Sequence, residues 1–164
     1  MMNYIKEKCR MYQTRFSFGT TSAIITSLSL ISGLDTMAHP KLGIIGGIFV
    51  IALADNISDS LGIHIYQESE CITQREVWLS TCTNFLARFF VSLTFILLVA
   101  ILPMNWAVIC SIVWGLSLLG ILSYSIAKRE ELNPYRAMLE HITIAIVVIT
   151  LSHFIGQWAI SRFK

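Results

Sequence analysis

Five apolar stretches, each nearly free of charge, decide what this chain can fold into. Crossing the hydrocarbon core of a bilayer takes about 20 helical residues. The stretches predict helices at about residues 16–37, 42–66, 85–102, 106–127 and 137–160. The breaks between them fall at backbone punctuation: His39-Pro40, Pro103-Met104-Asn105 and the helix-start pair Asn133-Pro134. Only 13% of the 164 residues are charged, against about 25% in an ordinary soluble domain. The expected fold is an all-α integral membrane protein, one domain of five transmembrane helices.

Basic residues orient the bundle, because Lys and Arg collect on the cytoplasmic side. With the N-terminus inside, the inner segments hold Lys6, Lys8, Arg10, Arg15, Arg75, Arg88, Lys128, Arg129 and Arg136, and the outer segments hold only Lys41, Arg162 and Lys164. The expected topology is N-in and C-out. Arg88, read as lying near the inner end of the third span, is expected to snorkel to the interface. The first 15 residues are polar and basic, and no cleavable signal follows them. A prokaryotic plasma membrane is the expected location.

Several classes of function find no support. Cys9, Cys71, Cys82 and Cys110 form no CxxC or CxxH pattern, so neither a zinc site nor a disulfide framework is indicated. The net charge of +2 comes from residues that track the membrane edges, which gives no footprint for nucleic acid. No nucleophile–base constellation, phosphate-binding glycine loop or HExxH motif occurs, and the chain is not expected to be an enzyme.

The second span holds the sharpest chemical signal. Its sequence ALADNISDSLGIHIYQESE, residues 52–70, sets Asp55 and Asp59 one turn apart in a greasy helix. Counted inward from Leu42, the two lie about 20 and 26 Å along the axis at 1.5 Å per residue. An aspartate at mid-membrane costs about 2.5–3.5 kcal/mol on insertion scales. Two ionised carboxylates one turn apart also repel, so one should hold a proton or the pair should share a cation. Carboxylate ligands suit Mg²⁺, Mn²⁺ or Fe²⁺. Asp55, Ser58, Asp59 and Gly62 form one stripe with Asn56 on its flank, and Glu68 and Glu70 emerge below as a candidate acidic vestibule. The candidate metal residues are therefore Asp55, Asp59, Asn56, Ser58, Glu68 and Glu70. Two plainer readings stay open: the aspartates bond hydroxyls of the first span, and the glutamates are a solvated helix end.

Span one carries Thr20, Thr21, Ser22, Thr26, Ser27, Ser29 and Ser32. Each hydroxyl can bond a carbonyl one turn back, yet their density suggests a helix facing protein or water. Gly43, Gly47, Gly19 and Gly33 allow close helix contact, within one protomer or between two. Five helices leave little room for a central path, so a second copy is expected. His64, His141 and His153 read as interfacial or hydrogen-bonded residues.

These features resemble the vacuolar iron transporter family. The resemblance rests on five spans, the Ser/Thr/Gly-rich first span, a second span ending in IYQESE, and the last span YRAMLEHITIAIVVITLSHFIGQWA with its late Ile-Gly. It implies a homodimer whose first two spans line a path for Fe²⁺ and Mn²⁺ out of the cytosol, in exchange for protons. Three departures stand beside it. Ser69 to Trp78 leaves no room for the Glu-rich cytoplasmic domain of the plant members. Phe18-Gly19 stands where they have Asp-Gly, and Ile51 and Asp59 stand where they supply a glutamate and a methionine. The expected function is divalent cation export through a dimeric path, with lipid, a second copy, metal ions and protons as partners and no tightly bound cofactor. The alternative is a non-transporting scaffold or regulatory protein whose aspartates form a structural hydrogen-bond network.

Overall fold

A computed structural model describes residues 19–70 and 72–163. The basic N-terminal cluster, the predicted start of the first span at 16–18, Phe18, Cys9 and Cys71 lie outside the described residues. Within them the chain forms five helices: α1 (Gly19–Leu34), α2 (Pro40–Ser69), α3 (Gln74–Ile101), α4 (Met104–Arg129) and α5 (Pro134–Arg162). Helices α2 to α5 are long and apolar enough to cross a membrane, and α1 is a shorter apolar helix.

Local chemistry sets most boundaries. Pro40 and Pro134 occupy first-turn positions of α2 and α5, where the missing N–H costs nothing. Asn133 Oδ1 caps α5 by accepting from the amides of Tyr135 at 3.1 Å and Arg136 at 3.3 Å. Helix α1 stops at Leu34, short of the predicted Met37. The chain then turns through Asp35–His39, and His39, the residue before Pro40, is held out of helical geometry by the proline ring. Helix α3 starts eleven residues before the predicted Phe85. Its first turns looked too polar to be part of a span. Thr81 and Thr83 there donate to the carbonyls of Val77 and Leu79, while Gln67 and Ser60 of α2 engage Ser80 and Asn84.

The short helix α1 is the hub. Gly19 packs on Asn84 and Arg88 of α3, Leu28 on Gly115 of α4, Leu30 on Gly47 of α2, and Gly33 on Ser152 and Gly156 of α5. At the last contact the two backbones touch. A Cβ on Gly156 would collide with the carbonyl oxygen of Gly33 and lie 2.7 Å from its carbon, so this crossing tolerates only glycine. Gly47 therefore serves contact inside the protomer. Around the hub, Ile24, Leu28 and Ile31 join Ile44, Ile48, Phe95, Val99 and Leu119 in one buried cluster.

Much of the exterior is apolar. Leu97, Ile101, Val113, Ile121, Leu151 and Ile155 are all more than half exposed. A water-soluble monomer does not present an apolar belt of this extent. With four helices of spanning length, the chain is a multi-pass membrane protein.

Candidate functional site

Helix α2 is not a uniform α-helix. Residues Ile51–Asp55 form a π-helical turn, in which the Asn56 amide reaches the Ile51 carbonyl five residues back. Such an inserted turn rotates everything beyond it relative to what precedes it. The Asn56 side chain supports the turn: its amide nitrogen donates to the Ala52 carbonyl at 3.2 Å and across to the Phe85 carbonyl of α3 at 2.9 Å. Asp55 closes the π turn and Asp59 stands one α-turn further on.

Beyond the turn, α2 and α3 run antiparallel along a polar seam. Successive partners are Asn56 with Phe85, Ser60 with Asn84 at 3.2 Å, His64 with Thr81 at 3.1 Å and Gln67 with Ser80 at 2.7 Å. Ascending numbers on one helix meet descending numbers on the other. Each pair satisfies groups that lipid would leave bare.

The two aspartates share one cation, and it belongs to the protein. Arg88 Nη2 donates to Asp55 Oδ2 at 2.6 Å, and Arg88 Nη1 donates to Asp59 Oδ2. The guanidinium fork matches two carboxylates with two parallel N–H bonds. Burial is lopsided: the Arg88 side chain is 2% exposed, whereas Asp55 is 46% and Asp59 35% exposed. The cation is inside and the free carboxylate oxygens face out. Arg88 stands near the middle of α3, buried, with its guanidinium bonded to two carboxylates of α2. Its expected snorkelling is therefore corrected: the charge is settled by pairing with acids on the neighbouring helix.

The other candidate residues scatter. Asn56 is buried in the α2–α3 seam with its amide committed to carbonyls, so it does not stand with the carboxylates. Ser58 is exposed on α2. Glu68 and Glu70 are exposed at the end of α2, with Glu68 Oε1 accepting from Gln74 at 2.9 Å and lying 3.4 Å from His64 Nε2. Among the described residues no three His, Cys, Asp or Glu side chains converge as a metal site. Asp55 and Asp59 alone come together, and each keeps oxygen lone pairs for a hard cation.

The aspartates bond α3, not the hydroxyls of the first span. Those hydroxyls divide: Thr26 donates to the Ser22 carbonyl at 2.8 Å, whereas Ser27, Ser29 and Ser32 Oγ are buried without a hydrogen bond. The three histidines of the spans are all hydrogen-bonded. His64 meets Thr81, His141 meets Ser123 at 2.8 Å, and His153 meets the Ser32 carbonyl at 3.1 Å with Asp35 3.3 Å away.

Sequence reasoning missed the role of Arg88, although its signal was present. Two acids and one base inside otherwise apolar spans have strong reason to find one another. The π turn left no recognisable signal in the sequence. Comparison with family models, with characterised proteins and with solved structures finds no match to this chain.

Proposed function

We propose that this chain is a homodimeric carrier that moves a divalent cation, Fe²⁺ or Mn²⁺, out of the cytoplasm in exchange for protons, with Asp55 and Asp59 as its intramembrane ligands. One observation carries the reading. Two carboxylates stand in the middle of a membrane-spanning helix, face outward from the protomer, and have one guanidinium between them. With both ionised, the triad holds a net charge of −1 and binds one further positive charge. Carboxylates at that depth do not face lipid without large cost. Water or a second protomer must therefore cover this face of α2. Gly46, Ala54, Ser58 and Gly62 are exposed beside them, and nothing lies within 4 Å of a Cβ at Gly46 or Gly62, which suits a close-packed partner helix. In the N-in orientation Glu68 and Glu70 stand at the cytoplasmic mouth and raise the local cation concentration.

The test is uptake of Fe²⁺ and Mn²⁺ into proteoliposomes across a pH gradient. The Asp55→Asn/Asp59→Asn double variant is expected to lose at least about tenfold in rate, equivalent to about 1.4 kcal/mol or more for the pair. Transport at the wild-type rate by the double variant would refute the ligand assignment.

The burial of Arg88 favours a second reading, in which the triad is a structural staple in a non-transporting scaffold. That reading requires no flux of any metal, together with loss of folded protein when either aspartate is replaced.

A further inference from the structure

A groove separate from the aspartates opens between α1, α3 and α4. It encloses about 370 Å³, and no residue of α2 lines it. Its main wall is a stripe on α4: Leu118, Ile121, Leu122 and Ile126. Spaced by three or four residues, these share one helix face. Ser125 belongs to the same stripe, but its hydroxyl already donates to the Ile121 carbonyl at 2.7 Å. The wall therefore asks for an apolar occupant.

The stripe ends in Arg129. Leu118 stands at the middle of α4 and Arg129 in its last turn, about 17 Å apart at 1.5 Å per residue. One leaflet of the hydrocarbon core is about 15 Å deep. The groove is thus one leaflet long, with a guanidinium at its mouth. Arg129 is exposed, and among the described residues it has no ion-pair partner. Lys128, beside it in sequence, stands 5.9 Å over the Tyr124 ring instead. In the N-in orientation the mouth opens on the cytoplasmic leaflet, where anionic lipids collect.

We propose that this groove binds an anionic phospholipid of the cytoplasmic leaflet, with one acyl chain along the Leu118–Ile126 stripe and the phosphate on Arg129. Such a lipid is apolar over the depth of a leaflet and negative at the level of the guanidinium, whose fork suits phosphate oxygens. The residues that precede α1 do not match the mouth: Lys6, Lys8, Arg10 and Arg15 outnumber Glu7 there, and like charge repels. An apolar helix of a second copy would match the stripe and leave the arginine unpaired. A zwitterionic lipid brings its own ammonium to the same level and gains less.

The experiment is native mass spectrometry of the detergent-solubilised full chain, titrated with phosphatidylglycerol or with phosphatidylcholine of the same acyl chains. Wild type is expected to hold phosphatidylglycerol about fivefold more tightly, the scale of one basic residue at a membrane surface. Arg129→Gln is expected to erase that preference. Lys128→Gln removes the same charge one residue away and is expected to keep it. Ser125→Trp puts bulk into the groove without touching the core, and is expected to weaken binding of both lipids. Phosphatidylglycerol should also raise the thermal midpoint of wild type but not of Ser125→Trp, because a ligand stabilises the state that binds it. No preference in wild type, a preference that survives Arg129→Gln, or an equal loss in Lys128→Gln overturns the proposal. A lipid-free dimer that Ser125→Trp converts to monomer gives the groove to a second copy and overturns it as well.

Discussion

Arg88 and Asp55, 33 residues apart in sequence, are joined by a 2.6 Å bond from Nη2 to Oδ2 in the middle of two antiparallel helices. The same guanidinium holds Asp59, so one buried charge ties both acids of α2 to α3.

That tie sets a stability prediction. Removing one member of a buried ion pair costs about 3–5 kcal/mol, because the others are left uncompensated. The outward exposure of the aspartates places Arg88→Met at the low end of that range. The triple variant Arg88→Met/Asp55→Asn/Asp59→Asn removes both signs together and is expected to recover most of the loss. Unfolding in detergent, followed by circular dichroism, measures both. A triple variant no more stable than Arg88→Met would show that the arginine acts through packing.

The crossing of α1 and α5 sets a second. Gly156→Ala forces a methyl onto the Gly33 carbonyl and is expected to cost about 3 kcal/mol or more, beyond ordinary overpacking because backbone must move. Gly46→Ala meets nothing within 4 Å. In the isolated protomer it is expected to be neutral, or to stabilise by up to about 1 kcal/mol through helix propensity. The same unfolding assay distinguishes the two, and equal effects would refute the packing assignment.

The proposed dimer contact through α2 is checked by cross-linking. In a variant with the four native cysteines replaced by serine, Ser58→Cys is expected to form a disulfide-linked dimer in membranes. Val113→Cys and Ile155→Cys, also exposed but on α4 and α5, are expected to stay monomeric. Cross-linking at Ile155 alone would move the interface to another face.

A fourth prediction concerns the turn between α4 and α5. Glu131 adopts a left-handed conformation with φ of 57°, and the amide of Leu132 reaches back to the Ala127 carbonyl at 2.9 Å. This is the helix stop that glycine normally occupies. A side chain there costs about 1 kcal/mol or more. Glu131→Gly is expected to raise stability by about 0.5–1 kcal/mol, and a decrease in thermal midpoint would refute it.

Much of the architecture was legible in the sequence, because spanning a bilayer demands long apolar runs and proline and asparagine mark where they start. The pairs Pro40 with α2 and Asn133-Pro134 with α5 show this directly. The first turns of α3 were not legible. Ser80, Thr81 and Asn84 look like loop residues until α2 is laid against them. The site divides in the same way. Asp55 and Asp59 stood out by the cost of charge in an apolar helix, while Asn56, read on their flank as a candidate ligand, commits its amide to the carbonyls of Ala52 and Phe85 in the α2–α3 seam.

Composition and spacing alone established that the chain crosses a membrane on several helices and that two acids in the second apolar span need compensation. Both follow from composition and spacing along one helix, where solvation energies act locally. What compensates them emerged from how the helices pack. The partner lies 29 and 33 residues away on another helix. Which side chains meet across that distance depends on helix register, on a π turn and on the close approach that Gly19 permits.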